Sequence, residues 1–238
     1  MTPVAPVEPS NEHVVEVRYK PNSRVLDNRG RWAAKLSEEL QLPHWKIEPN
    51  RLDVMEANKR RSCFVSFRNL GFQAADTPTR NYFVDQTSKF FKVLFDLGEF
   101  PKSLHVERFG VRSKFCVPYG GSFEDLVTRY TTRYVVPTEA AREAIGPGAK
   151  LVDVAGPLNF IDEIGNFNTM GGPVRQAEAA GLFAKDAGFP DVGLFYDIDY
   201  WTRPDHSLAF HDLTKLLTGF AVAAWDRHER VVKLIAGD

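Results

Sequence analysis

The run from Val192 to Trp201, VGLFYDIDYW, limits the possible folds more than any other stretch of this chain. Extended backbone sends successive side chains to opposite faces, so Val192, Leu194, Tyr196, Ile198 and Tyr200 share one side. Phe195, Asp197, Asp199 and Trp201 share the other. The pattern predicts a strand whose first side is buried and whose second side carries two neighbouring carboxylates. Such a pair is either a metal or acid–base site, or half of an ion-pair ladder.

The other segments follow a related grammar. Met1 to Glu12, with Pro3, Pro6 and Pro9, reads as an extended tail. His13 to Tyr19 alternates as a strand. Trp32, Leu36 and Leu40 predict a helix over 31–42, stopped by Pro43. Trp45 to Asn58 and Ser62 to Ala75 read as extended, with a charged turn over 58–61 between them. A helix then runs from Thr77-Pro78 to Gly98. After Pro101 the order restarts. Ser103 to Val117 is a long strand, with Gly110 marking a bulge or sharp twist. Ser122 caps a helix through Tyr130, and a short helix follows from Pro137 to about Gly146. Lys150 to Phe160 is extended, with Gly165 to Met170 as its hairpin partner. Gly171-Gly172-Pro173 opens a helix over Val174 to Asp186, the Asp197/Asp199 strand follows, and Ser207 to Ile235 closes the chain as a long helix.

This order predicts an α+β protein of two fused β-α-β(n)-α halves, 13–101 and 102–238. The expected arrangement is an antiparallel sheet with helices on one face, ferredoxin-like or TATA-binding-protein-like. If helices cover one face, the polar strand residues report the other. They are Glu16 and Arg18, then Ser66 and Arg68, then Arg108, Arg112 and Lys114, and finally Asp197 and Asp199. Three readings of that face stay open. One is a cross-strand ladder of Arg–carboxylate pairs. The second is an anionic-ligand site in which Arg18, Arg68, Arg108 and Arg112 fork around phosphate or carboxylate. The third is a divalent-metal centre for nucleotidyl or phosphoryl transfer at Asp197 and Asp199, with Asp153 as third acid.

Composition narrows the partners. Thirty basic residues stand against 31 acidic ones, which argues against bulk nucleic-acid binding. The two cysteines, Cys63 and Cys116, lie far apart in apolar strand patterns and read as buried free thiols of a reducing compartment. No run approaches a membrane span and no signal sequence is expected, so the expected location is cytoplasmic. The histidines show no HExxH pattern, the glycines no phosphate-loop pattern, and no GxSxG elbow occurs, so no cofactor is called for. Trp225 to Arg230 reads as a solvated helical face with an Asp226–Arg230 i,i+4 pair.

Three motifs together resemble a sporadically distributed family of uncharacterised bacterial proteins: Val14 to Tyr19 (VVEVRY), Arg108 to Arg112 (RFGVR) and Phe195 to Tyr200 (FYDIDY). Ala223 to Asp226 stands where that family has its closing helix. The resemblance implies an accessory protein of mobile or host-defence loci and assigns no catalytic residue. The expectation is a non-enzymatic binding module that meets a protein partner, a second copy or a small anionic ligand on its open face. Phe195 and Trp201 are expected to make that face partly apolar.

Overall fold

The computed structural model describes residues 8–135, 144, 153, 156–184 and 188–237. Its elements in chain order are β1 (Ser10–Tyr19), α1 (Arg24–Leu40), β2 (His44–Glu48), β3 (Arg51–Met55), β4 (Arg61–Ser66), β5 (Asn69–Ala75), α2 (Tyr82–Asp96), β6 (Ser103–Pro118) and α3 (Phe123–Arg133). They continue with β7 (Gly156–Ile161), β8 (Asn166–Arg175), α4 (Gln176–Ala180), β9 (Val192–Thr202), β10 (His206–Ala209) and α5 (Phe210–Ala236). The fold is α+β, an open antiparallel sheet of ten strands. Strand order is β2-β3-β4-β5-β1-β6-β9-β8-β7, and β10 pairs with β6 beyond the end of β9. The two strands that open the two stretches of sequence, β1 and β6, therefore lie side by side at the centre.

The helical face follows from alternation. Val15, Val17 and Tyr19 of β1, Phe72 of β5, Phe109 and Val111 of β6, and Ile198 and Tyr200 of β9 are all buried in one core with the apolar stripes of α1, α2 and α5. The α1 stripe is Val25, Trp32, Ala33, Leu36 and Leu40. Val25 extends it upstream of the expected start at Arg31. The helix ends where Gln41 turns left-handed, at φ 57°, and the Ser37 hydroxyl donates to the Leu42 carbonyl at 2.7 Å. Ser122 caps α3 as expected, accepting from the Asp125 N–H at 3.1 Å.

Several expectations are corrected. Strand β1 starts at Ser10, inside the expected tail. The two extended runs between α1 and α2 each fold back, giving four strands. The second breaks at Phe67–Arg68, where the Ser66 hydroxyl accepts from the N–H groups of Arg68 and Asn69. Gly171-Gly172-Pro173 opens no helix: β8 runs through it to Arg175, paired with β9, and the expected helix shrinks to α4. Gly171 is needed there because a Cβ would sit 2.5 Å from the Phe195 carbonyl oxygen. The final helix gives up its first residues to β10. The short helix expected from Pro137 lies, apart from Ala144, outside the described residues.

The helices are not all on one face. α4 packs on the opposite side, where Ala179, Phe183 and Phe189 bury Cys116 and Phe195. Nor is Trp225–Arg230 simply solvated. His228 is 8% exposed and stacks on Phe115 with ring centroids 3.9 Å apart. His13 of β1, 2% exposed, lies in the same aromatic box against Phe83, Phe115 and Trp225. Asp226 pairs with Arg80 rather than Arg230. Cys63 and Cys116 are buried and form no disulfide. No described helix is long and apolar enough to cross a membrane.

Candidate functional site: the uncovered sheet face

Cross-strand register decides which polar groups meet. On the face away from α1, α2, α3 and α5, Glu12 lies opposite Lys114, and Lys114 opposite Asp197. Val14 lies opposite Arg112, Arg112 opposite Asp199, and Arg18 opposite Arg108. Side chains reach diagonally from these positions. Arg112 holds Asp197 with two nitrogens, Nε at 3.0 Å from both carboxylate oxygens and Nη2 at 2.6 Å from Oδ2. Arg108 donates to Asp199 at 3.2 Å and stands 3.7 Å from Glu16. Glu16 also accepts from Arg18 at 2.9 Å and from Asn69 at 2.8 Å.

Gly110 makes this diagonal possible. It sits beside Arg108's reach toward Asp199, and a Cβ there would stand 2.7 Å from the guanidinium Nη1. The expected bulge lies elsewhere, between Arg18 and Tyr19, where the β1–β6 register shifts.

The ladder is graded in burial. At one end the Lys114 ammonium binds Glu12 at 2.9 Å and the Leu182 carbonyl at 2.8 Å, while Glu12 also accepts from the Ala184 N–H. The chain after α4 thus closes that end. In the middle, Asp197 is 5% exposed although the Arg112 side chain is 49% exposed. Beyond β1 the pattern continues with Arg51–Asp53 and Lys46–Glu48, and the Arg51 guanidinium lies 3.9 Å over the Phe64 ring.

Electrostatics follows the same gradient. Burial alone would push Glu16 up, but hydrogen bonds from Arg18 and Asn69 and the charge of Arg108 hold it below the usual carboxylate range. Asp199 is raised: burial dominates, and the Asp197 charge adds to it against the pull of Arg108 and Arg112. The Arg112 guanidinium is held more firmly protonated by its bonds to Asp197.

The structure therefore brings together Arg18, Arg108, Arg112, Asp197 and Asp199. Arg68 sits in the β4–β5 turn, its guanidinium 5.4 Å from the Phe67 ring, outside the ladder. Asp153 lies upstream of β7. Among the described residues no group of three or more His, Cys, Asp or Glu side chains is placed to hold a metal ion. Each carboxylate of the β9 pair faces an arginine instead. Phe195 does not contribute apolar surface here because α4 and its following loop cover it. Trp201 stays half-buried, with the Arg203 guanidinium 5.3 Å from its ring.

Sequence reasoning misses one member of this face and one cluster away from it. Glu12 was assigned to the tail, although its period-two spacing to Val14 and Glu16 places it on the same face. The Asp162–Tyr200–Arg227 cluster on the helical side was not foreseen. There Asp162 accepts from the Ile164 and Gly165 N–H groups and from Tyr200 at 2.9 Å, and Arg227 Nε donates to the Tyr200 oxygen at 2.5 Å. Asp162 is held below its ordinary range. Burial would raise it, and those backbone and side-chain donors outweigh the burial. No protein-family model matches the chain, and no curated protein matches it.

Proposed function

We propose that this protein is a non-enzymatic interaction module that docks another protein chain, in the first instance a second copy of itself, on the uncovered sheet face. One observation carries the reading: the ladder is charge-neutral and internally paired. Glu12, Glu16, Asp197 and Asp199 are answered by Arg18, Arg108, Arg112 and Lys114. Guanidiniums already holding carboxylates make a poor trap for a free anion, and carboxylates already holding guanidiniums make poor metal ligands. A fixed array of alternating charges instead supplies register and specificity to a protein surface of matching pattern. A face whose own charges alternate also suits a two-fold self-contact, in which each patch meets itself.

The resemblance supports the same face. Its three motifs fall on β1, β6 and β9, three adjacent strands, and they supply Glu16, Arg18, Arg108, Arg112, Asp197 and Asp199. The strand order supports two fused halves in a TATA-binding-protein-like arrangement, each opening with a central strand and closing with a long helix. A cytoplasmic accessory role accords with buried cysteines that form no disulfide and with near-neutral charge.

Analytical ultracentrifugation of the wild type and Arg112→Glu tests the reading. The wild type should sediment as a concentration-dependent dimer and the variant as a folded monomer of lower thermal stability, because Asp197 loses its guanidinium. A wild type that stays monomeric to its solubility limit, or a variant that dimerises equally, refutes it.

A further inference from the structure

On the helical side, Arg227, Arg230, Val231 and Leu234 form one stripe of α5. With Tyr134, Phe160, Phe167 and Tyr196 they line a cleft of about 240 Å³. An aromatic column runs into it. Phe160 stacks on Phe167, Phe167 on Tyr200 and Tyr200 on Phe220, with centroids 5.0, 4.8 and 5.3 Å apart and planes within 17°, 28° and 25°. The three inner rings are buried, whereas Phe160 is 44% exposed. A stack ending on an exposed ring offers a π face to one further ring.

The two arginines of the cleft differ. Arg227 is engaged by Asp162 and Tyr200 and lies 4.3 Å over Phe167. Arg230 has no ion pair or hydrogen bond among the described residues, because Asp226, its i−4 neighbour, turns to Arg80. The cleft therefore carries an uncompensated positive charge at its rim. Tyr134 and Tyr196 bond hydroxyl to hydroxyl at 2.9 Å and place polar oxygens in the wall. The volume exceeds the roughly 150 Å³ that admits benzene and falls short of the roughly 300 Å³ where drug-sized pockets begin. That size fits one ring or two fused rings.

We propose that this cleft binds a small planar aromatic anion, its ring seated on Phe160 and its negative charge on Arg230. The site is independent of the uncovered sheet face, since it lies on the opposite side of the sheet. Phe160, Val231 and Leu234 give the ring apolar contact, and Arg230 discriminates a carboxylate from its neutral amide.

Naphthalene-2-carboxylate and its uncharged analogue naphthalene-2-carboxamide are the probes, titrated against the full chain by saturation-transfer NMR. The carboxylate should bind with a Kd of about 1 mM or tighter, the level expected of so small a ligand. Arg230→Gln should weaken it about tenfold, the effect of losing one partly exposed charge-assisted contact. Lys233→Gln, one turn further along α5, should leave it unchanged, and the amide should bind wild type and Arg230→Gln alike. Phe160→Ala should weaken both probes. No saturable binding of the carboxylate overturns the proposal, as does equal binding by the wild type and Arg230→Gln. Equal weakening by Lys233→Gln also overturns it, because the attraction would then be diffuse. Loss of dimerisation in Arg112→Glu leaves these titrations unaffected.

Discussion

The aromatic box around His13 and His228 makes acid sensitivity a quantitative expectation. His13 is lowered to about 3, by burial first and by the neighbouring His228 second, and His228 is lowered to about 4 by burial. The His13 Nδ1 meets the Ser113 hydroxyl at 2.9 Å, while its Nε2 and both nitrogens of His228 have no partner. Both rings are thus held neutral in the folded chain and take up protons near 6.5 when it unfolds. For groups lowered by folding, the unfolded state binds more protons below pH 6.5, so stability is full above that value and falls as pH drops toward the folded values. At pH 5 each histidine has lost about 2 kcal/mol, so the pair costs about 4 kcal/mol relative to pH 8. Glu16 and Asp162, held below the ordinary carboxylate range, keep their contribution at pH 5. Asp199, raised on folding, acts weakly in the opposite direction.

Urea denaturation followed by far-ultraviolet circular dichroism from pH 8 to 5 measures this directly. His228→Phe keeps the stack on Phe115 and removes one titrating ring, so its loss at pH 5 should be about half that of the wild type. The variant's stability at pH 8 should equal or exceed the wild type's, since two unpartnered nitrogens are gone. A wild type that loses less than about 1 kcal/mol between pH 8 and 5, or a variant with the wild-type slope, refutes the assignment of buried neutral rings.

Gly110→Ala should cost about 1–2 kcal/mol by displacing the Arg108 guanidinium from Asp199, while Gly98→Ala, where a Cβ meets nothing within 4 Å, stays near neutral in the same denaturation assay. Glu12→Gln should cost about 3 kcal/mol because it removes the counter-charge of a largely buried ammonium and leaves one acceptor oxygen for two donors, the Lys114 ammonium and the Ala184 N–H. Asp197→Asn should cost nearer 1 kcal/mol, since Arg112 reaches water; the reverse order would show that the ladder is not graded as its exposure indicates. Cys63 and Cys116 should resist a thiol-specific disulfide reagent in the native state and react on unfolding, as burial drives the Cys63 thiol strongly upward. Fast native-state labelling would contradict their burial.

How much of this was legible depended on whether a signal was local. The facing of β9 could be read because strict alternation survives along it, and Arg108 and Arg112 fell on the right face for the same reason. Gly171-Gly172-Pro173 misled because small and turn-forming residues also serve where strands approach closely. Nothing local distinguishes a helix start from room for the Phe195 carbonyl. The cover over Phe195 was invisible because α4 crosses to the opposite face. Asp226 has a suitable i,i+4 partner in Arg230, yet tertiary packing brings Arg80 closer. Which guanidinium a carboxylate chooses across 146 residues is not written in either neighbourhood.

Placing β1 in the middle of the sheet has a consequence for biosynthesis. Strand β1 cannot finish its hydrogen-bonding until β6 emerges, about a hundred residues later, and it must then be flanked on both sides. Until that moment Val14 and a row of bare peptide groups form a sticky rim. A nascent or truncated polypeptide that stops before Ser103 should therefore aggregate or recruit a chaperone, although every residue from β1 to α2 is present.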